Sequence, residues 1–330
     1  MDVMTVMGPI PPEACGRTMP HEHLFINEMR EERAIGLLND QRLLIDELAA
    51  FAAAGGGTIV ELSTAELTAG ASPDPKGHFR GARDSGLPLH GSRTVNNVLS
   101  IVEVARATGV HIVLGTGHYR DPYFDDGWLE HHSVTQVAER MITDIEEGFP
   151  GTSVRAGIIG EIGADKWFIS PGEERSYRAA ARAHAATGLT VTTHAARWPV
   201  GIDQLDLLTD LGVDPRRVII GHCDTVNIPE YHLELARRGA FVQFDTIRGK
   251  SSYDVMIRCE FITALREAGY LDQILLSHDV CETDQLKTYG GGGYAYILEF
   301  FLDELRKRGL SEEELERLVA TNPQRALAGV

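Results

Sequence analysis

The side chains best suited to chemistry are histidines and carboxylates that recur where apolar segments end. His21-Glu22-His23 lies within the mostly apolar stretch 18–26, and alternation along an extended chain places both imidazoles on the same side. Four later apolar segments each end in a residue of the same kind, in chain order Glu161, His194, His222 and Asp279. Any one of them alone is better explained as a hydrogen-bonded core or capping residue. Together they point to metal binding, because imidazoles and carboxylates are common ligands of divalent metal ions.

The segments that carry these residues alternate between strand and helix patterns. Eight β-branched or apolar runs predict strands at 18–26, 58–62, 110–117, 154–161, 189–194, 217–222, 240–245 and 273–279. Helical periodicity between and after them predicts helices at 39–54, 94–108, 133–147, 171–187, 201–211, 229–238, 253–268, 292–308 and 311–320. Such alternation indicates a parallel sheet, and eight units favour a (β/α)8 TIM barrel over an open doubly wound sheet. Because no change in composition suggests a linker, we expect residues 1–330 to form one domain; the irregular segment 63–93 is a long loop.

The barrel hypothesis explains why the candidate ligands are spread along the chain. His194 follows Glu161, and His222 follows His194, by about one β–α–β unit, while Asp279 lies two units further on. The carboxyl ends of barrel strands converge on one face, so these side chains would meet there. Six ligands exceed what one ion with an open position needs, so we expect two ions. The predicted ligands of the two ions are His21, His23 and Asp279 for one, His194 and His222 for the other, and Glu161 as the bridge.

Ligand chemistry leaves the identity of the metal open. Mixed nitrogen and oxygen ligands suit Zn²⁺, which we expect, and also Mn²⁺, Fe²⁺ or Co²⁺. A hydroxide that bridges two such ions exists near neutral pH, because bound water is strongly acidified, and the ions can polarise a carbonyl or phosphoryl oxygen. The sequence therefore predicts hydrolytic chemistry.

Composition and charge restrict the kinds of partner that the protein can bind and indicate its cellular compartment. The formal net charge of −17 is spread over many helices and disfavours binding to nucleic acid or to anionic membranes. The four cysteines lack C-x-x-C spacing, no signal peptide is apparent, and no apolar run is long enough for a membrane helix. These features predict a cytoplasmic protein that acts on a small molecule.

Loops after the predicted strands supply candidate substrate-binding residues. They are Tyr119 after the third strand, Arg248 after the seventh, and Lys287 and Tyr289 after the eighth. Cationic groups near the mouth of an acidic barrel favour an anionic substrate, although each could instead pair with a surface carboxylate. Three tryptophans also follow strands and could line the pocket or simply pack: Trp128, Trp167 and Trp198. His278 should point away from Asp279, into the helix layer.

Several motifs resemble the phosphotriesterase family within the amidohydrolase superfamily. They lie at residues 5–10, 16–24, 156–159, 192–194, 221–222, 277–279 and 321–323. The resemblance spans nearly the whole chain and implies a (β/α)8 barrel with a binuclear centre. It also implies that a bridging hydroxide attacks the substrate, that Asp279 carries the proton, and that the protein forms a homodimer.

One motif departs from the best-known members of that family. Phosphotriesterases and related lactonases bridge their metals with a carboxylated lysine on strand four, but residues 157–163 contain none, and Lys166 lies beyond them. Glu161-Ile162-Gly163 and residues 286–294 resemble instead the glutamate-bridged phosphotriesterase homology and phosphotriesterase-related proteins. That branch implies a lactone, carboxyl ester or amide substrate. The alternatives are a phosphotriester hydrolase and a non-catalytic metal- or ligand-binding barrel.

Overall fold

Eight parallel strands form the centre of the molecule in a computed structural model that describes residues 1–71, 73, 91–124 and 127–329. They are β1 (Arg17–Glu22), β2 (Gly56–Glu61), β3 (His111–Thr116), β4 (Ile158–Gly163), β5 (Val191–His194), β6 (Val218–Ile220), β7 (Phe241–Phe244) and β8 (Ile274–Leu276). Each strand pairs with its neighbour in sequence. The two edges meet where the Ser277 hydroxyl donates to the His21 carbonyl at 2.8 Å and the Asp279 amide donates to the same oxygen at 3.2 Å. The predicted (β/α)8 barrel is confirmed, and the open-sheet alternative is wrong.

Helices surround the barrel and connect its strands. The α-helices of five or more residues within the described ranges are α1 (Gln41–Ala53), α2 (Val95–Thr108), α3 (Val134–Glu146), α4 (Pro171–Thr187), α5 (Gly201–Asp210), α6 (Pro229–Arg237), α7 (Ser252–Glu267), α8 (Leu302–Lys307), α9 (Glu312–Glu316) and α10 (Asn322–Ala328). A four-residue helix, Trp128–His131, precedes α3. Several begin at a side-chain cap; Ser170, for example, accepts from the Glu173 amide while Glu173 accepts from the Ser170 amide. No helix within the described ranges is both long and apolar enough to cross a membrane.

Some element boundaries differ from those the sequence predicts. The first strand ends at Glu22, and Ile26–Asn27 pairs antiparallel with Leu37–Leu38 instead of extending it. Strand β4 begins four residues later than expected, so Glu161 lies inside the strand. The predicted helix 292–308 is interrupted, with a π-helical turn at Ile297–Phe301 before α8. Most of the irregular segment 63–93 lies outside the described residues.

The barrel interior is apolar toward its amino-terminal end and polar toward its carboxyl end. Buried side chains fill the lower half, among them Val60, Val113, Ile158, Ile219, Phe241 and Leu275. Val3 and Leu327 close that half from below. A larger apolar cluster joins the outer strand faces to the helices. Because the strands are buried on both faces, their outer and inner residues are alike apolar, and the polar side chains remain at the carboxyl ends.

Candidate metal centre

Glu161 occupies the middle of the polar end of the barrel. Its side chain is 1% exposed. One oxygen, Oε1, lies 2.6 Å from His194 Nδ1 and 3.0 Å from His222 Nε2. The other, Oε2, lies 3.6 Å from His21 Nε2 and 3.9 Å from His23 Nε2. The carboxylate therefore stands between two pairs of imidazoles.

Asp279 completes the cluster from the segment after β8. Its Oδ1 lies 3.2 Å from His23 Nε2 and 3.7 Å from His21 Nε2. Its Oδ2 accepts a hydrogen bond of 2.5 Å from the Arg248 guanidinium, which also donates to the His278 carbonyl at 2.7 Å. The structure thus brings all six predicted ligands to one place.

Close packing of the strands sets the direction of the ligands. Gly221, immediately before His222, lies so close to β5 that an added Cβ would be 2.3 Å from the Thr193 carbonyl oxygen. Only glycine tolerates that approach. The next residue, His222, has a left-handed backbone with φ of 55°, which turns its imidazole toward the barrel axis.

The donor atoms fit divalent cations. Two buried atoms that face each other, His21 Nε2 and Glu161 Oε2, have no hydrogen-bond partner among the described residues. His194 Nδ1 and His222 Nε2 are only 2.8 Å apart, so at most one of these nitrogens can carry a proton between them. Such groups are costly to bury unpaired, and a cation accepts their lone pairs. Two groupings built from Glu161 have donor atoms close enough to share one ion: His21 with His23, and His194 with His222.

Charge states in the cluster follow from burial and mutual proximity. Burial together with the neighbouring His222 lowers the pKa of His194 to about 4, which keeps its imidazole neutral. Burial alone would raise the pKa of Glu161, but the His21 and His194 imidazoles hold it well below its usual range. Glu161 is therefore a carboxylate, the form that binds a metal ion.

Asp245, at the end of β7, orients two of the imidazoles and is not among the residues singled out in the sequence. Its Oδ2 lies 3.0 Å from His21 Nδ1, and its Oδ1 accepts from His222 Nδ1 at 2.8 Å. The His222 amide donates to the same carboxylate at 3.0 Å and 3.1 Å. These contacts place the proton of each imidazole on Nδ1 and leave Nε2 facing Glu161. Its sequence signal is the same as that of the ligands, an acidic residue ending a strand.

His23 is oriented by a separate buried network. Its Nδ1 lies 3.0 Å from the Ser63 hydroxyl, which donates to Glu61 Oε1 at 2.5 Å. The Arg93 guanidinium forms an ion pair with Glu61 and donates to the Gly115 carbonyl at 3.0 Å. Since the serine proton goes to Glu61, His23 donates from Nδ1 and keeps Nε2 free for the cluster.

A cavity of about 490 Å³ opens above the cluster. Tyr119 and Arg248 line it, and the Tyr119 hydroxyl lies 3.2 Å from His194 Nδ1. Burial raises the pKa of that hydroxyl well above its usual value, so it remains a hydrogen-bond donor. Lys287 lines a neighbouring cavity and pairs with Glu299 at 2.7 Å. Tyr289 is 61% exposed and lines neither of these cavities.

The tryptophans and His278 lie outside the cavity lining. Trp167 and Trp198 are 66% and 43% exposed, and Trp128 stacks on the His132 ring at 4.2 Å. None of the three is among the described residues that line the cavity above the cluster. The His278 Nδ1 lies 2.8 Å from Glu22, and its Nε2 accepts from the Ile297 amide at 3.0 Å. His278 thus faces away from Asp279 and toward the helical segment after β8.

An eight-stranded parallel barrel with clustered imidazoles and carboxylates at its carboxyl end defines a class, the (β/α)8 metal-dependent hydrolases. Residues 1–72 and 91–327 match the model of the Phosphotriesterase family, and the chain belongs to that family. The predicted family is confirmed, and the prediction of a hydrolase with it. The alternative of a barrel without catalytic activity is not supported.

Three relatives illustrate the similarity. The phosphotriesterase homology protein of Escherichia coli is 39% identical over 69% of this chain and 77% of its own. Its crystal structure, with phosphate in the active site, superposes with a TM-score of 0.82 at 32% identity, covering 95% of this chain and 99% of that one. The N-acetyltaurine hydrolase of Salmo salar is 28% identical over 98% of this chain and 97% of its own. A lactonase from Listeria monocytogenes superposes with a TM-score of 0.84 at 26% identity, covering 99% of each chain.

Proposed function

We propose that this chain is a binuclear metal hydrolase that cleaves the acyl C–O bond of a lactone or carboxyl ester, or the acyl C–N bond of an amide. One observation carries the proposal: each oxygen of Glu161 faces a different histidine pair, with Oε1 toward His194 and His222 and Oε2 toward His21 and His23. A carboxylate so placed can bridge two ions. Asp279 adds an oxygen on the side of His21 and His23.

Two bound divalent ions, with Zn²⁺ as the expected metal, would acidify a water molecule and polarise the carbonyl oxygen. Proton transfer and substrate binding are then carried out by side chains of the protein. Asp279 accepts the proton of the attacking water and delivers it to the leaving group, as a general base and then a general acid. The Arg248 guanidinium holds Asp279 in position and favours its ionised form, because burial would raise the pKa of Asp279 but Arg248 and the imidazoles lower it.

Tyr119 is the neutral donor of the proposed site. Its hydroxyl lies at the cavity wall beside His194 and keeps its proton because it is buried. From that position it can donate a hydrogen bond to a substrate oxygen. The cavity volume of about 490 Å³ suits a small molecule.

The substrate class is supported by the relatives. The Salmo salar relative is named for hydrolysis of an amide and the Listeria protein for hydrolysis of a lactone, and both align over at least 97% of each chain. Both reactions begin with attack on a carbonyl carbon. Both named reactions share this step, and we therefore propose hydrolysis at a carbonyl carbon for this barrel ahead of phosphotriester hydrolysis.

A substrate panel tests the proposal. Protein reconstituted with Zn²⁺, Mn²⁺ or Co²⁺ is assayed against γ-lactones, aryl acetates, N-acyl amines including N-acetyltaurine, and paraoxon. We expect at least one carbonyl class to be turned over, with kcat/KM at least 100-fold above that for paraoxon. Glu161→Ala is the inactive control. Glu174→Ala on α4, which changes a partly exposed glutamate, is the matched control that should leave activity intact. A dominant paraoxon activity, or no hydrolysis of any class by metal-loaded protein, would contradict the proposal.

A further inference from the structure

Arg197 has an unusual backbone for its position. It lies in the segment after β5, three residues beyond His194, and has φ of 70°. Among the described residues that are not glycine, only His222 and Asp279 share a positive φ. Both of those are candidate metal ligands. Left-handed backbone is unfavourable for residues with a Cβ, and such strain is concentrated where function requires a fixed side-chain direction.

Hydrogen bonds fix this conformation against the metal cluster. The Arg197 amide donates to the Thr225 hydroxyl at 2.7 Å, and that hydroxyl donates to the His222 carbonyl at 2.7 Å. The segment after β5 is thereby tied to the turn that presents His222. Arg197 and Thr225 both line the cavity above the cluster.

The charges around the cavity make Arg197 different from the other cations there. Three arginines line the cavity. Arg120 pairs with Glu31 and Asp165, and Arg248 pairs with Asp279. Within the part of the chain that the structure describes, the exposed guanidinium of Arg197 has neither an ion pair nor a hydrogen bond, and it is the cation left available for a ligand.

The remaining charged residues of the wall restrict where an anion can bind. They are the acidic residues Glu28, Glu31, Glu32, Asp165 and Glu282. Glu31 and Asp165 pair with Arg120, and burial raises the pKa of Glu28 to about 7, so Glu32 and Glu282 are the main carboxylates of the wall without an ion pair among the described residues. A negatively charged group is repelled by this wall and attracted to Arg197. Arg197 lines the same cavity as His194 and His222, so an anion bound to Arg197 would share that cavity with a carbonyl held at the cluster.

We propose that Arg197 forms an anion subsite that binds a carboxylate or sulfonate carried by the substrate. The inference rests on the proposed carbonyl hydrolysis and narrows it to acyl compounds that carry an anionic group and fit the cavity of about 490 Å³. A guanidinium binds both anions through paired N–H donors, which an ammonium group cannot reproduce. Arg197 is thus a specificity-determining residue, whereas Arg248 serves Asp279.

A pair of uncleavable ketones tests the subsite by binding alone. The sulfonate 4-oxopentane-1-sulfonate and the neutral sulfone 5-(methylsulfonyl)pentan-2-one have the same carbonyl and nearly the same shape. Isothermal titration of metal-loaded protein should show at least tenfold tighter binding of the sulfonate. Arg197→Gln should abolish that preference, and Arg197→Lys should retain part of it. Arg216→Gln removes an exposed arginine near the start of β6, at the opposite end of the barrel, and should bind both ketones as the wild type does.

A second variant separates charge from folding. Arg197→Gly removes the guanidinium and relaxes the backbone strain, so this variant should be at least as stable to heat as the wild type but show no preference for the sulfonate. Equal binding of the two ketones by the wild type, or a preference that survives Arg197→Gln, overturns the anion subsite. Hydrolysis of the substrate panel is measured on the same samples. An Arg197-dependent preference without any hydrolysis supports the subsite and refutes the proposed function. Hydrolysis without such a preference supports the proposed function and refutes the subsite.

Discussion

Replacing Asp245 by asparagine should weaken metal binding without unfolding the barrel. The buried carboxylate uses both oxygens, one toward His21 Nδ1 at 3.0 Å and the other toward His222 Nδ1 at 2.8 Å. Asparagine keeps one acceptor and turns the other into an N–H donor. One imidazole N–H then faces a second donor, and its ring must rotate or change tautomer.

The size of the effect follows from the bond that is lost. A hydrogen bond to a charged group contributes about 1.5–3 kcal/mol, and about 1.4 kcal/mol corresponds to a tenfold change in affinity. We therefore expect Asp245→Asn to weaken binding roughly 10- to 100-fold, the range typical of residues that orient metal-binding histidines. Because Asp245 contacts His21 and His222, which lie on opposite sides of Glu161, both ions should be affected.

Competition with a chromophoric chelator measures the Kd of each ion, and circular dichroism checks that the variant is folded. Asp214→Asn is the matched control, since it makes the same chemical change at a partly exposed aspartate that pairs with Arg216. Wild-type affinity for both ions in folded Asp245→Asn protein would refute the assigned role of this carboxylate.

Three further variants test other parts of the account. Asp279→Asn should lower kcat at least 100-fold through loss of the proton carrier while the metal content per chain is unchanged; retained turnover would rule out this role. Arg93→Met leaves the Glu61 carboxylate buried without its cation and should cost about 3–5 kcal/mol of unfolding free energy in urea, so a loss below about 1 kcal/mol would show that the pair is not structural. Tyr119→Phe should reduce kcat/KM roughly tenfold by removing a hydrogen-bond donor, whereas Tyr289→Phe should leave it unchanged, and equal effects of the two would place the substrate elsewhere.

The candidate ligands could be predicted from the sequence because strand geometry is simple. A strand that ends in a histidine or carboxylate must present it at the carboxyl face of a parallel barrel, whatever the loops do. His194 ends β5 and follows that rule, whereas His222 and Asp279 lie two and three residues beyond β6 and β8 and have left-handed backbone. The exact start of β4 did not follow from sequence, because Val154 and Ala156 extend the apolar pattern ahead of the strand, whereas its register is set by pairing with β3 and β5.

Residues outside the strands were harder to place. Lys287 follows β8 closely in sequence, but its loop carries it to a neighbouring cavity, where Glu299 neutralises it. Arg248 is a predicted substrate-binding residue that lines the cavity, and its guanidinium pairs with Asp279, a contact that the sequence does not reveal. The significance of Arg197 depends on its φ angle and on which arginines already have partners. Both are properties of the tertiary structure, and no local sequence pattern encodes them.

We propose that Glu161 holds one divalent cation on either side of its carboxylate. The most direct test is elemental analysis of the purified enzyme together with turnover before chelation, after exhaustive chelation, and after metal is restored. We expect two divalent ions per chain, loss of activity on chelation, and recovery that is complete only when the second ion is bound. Full turnover by metal-free protein, or full activity with a single ion per chain, would contradict the binuclear centre.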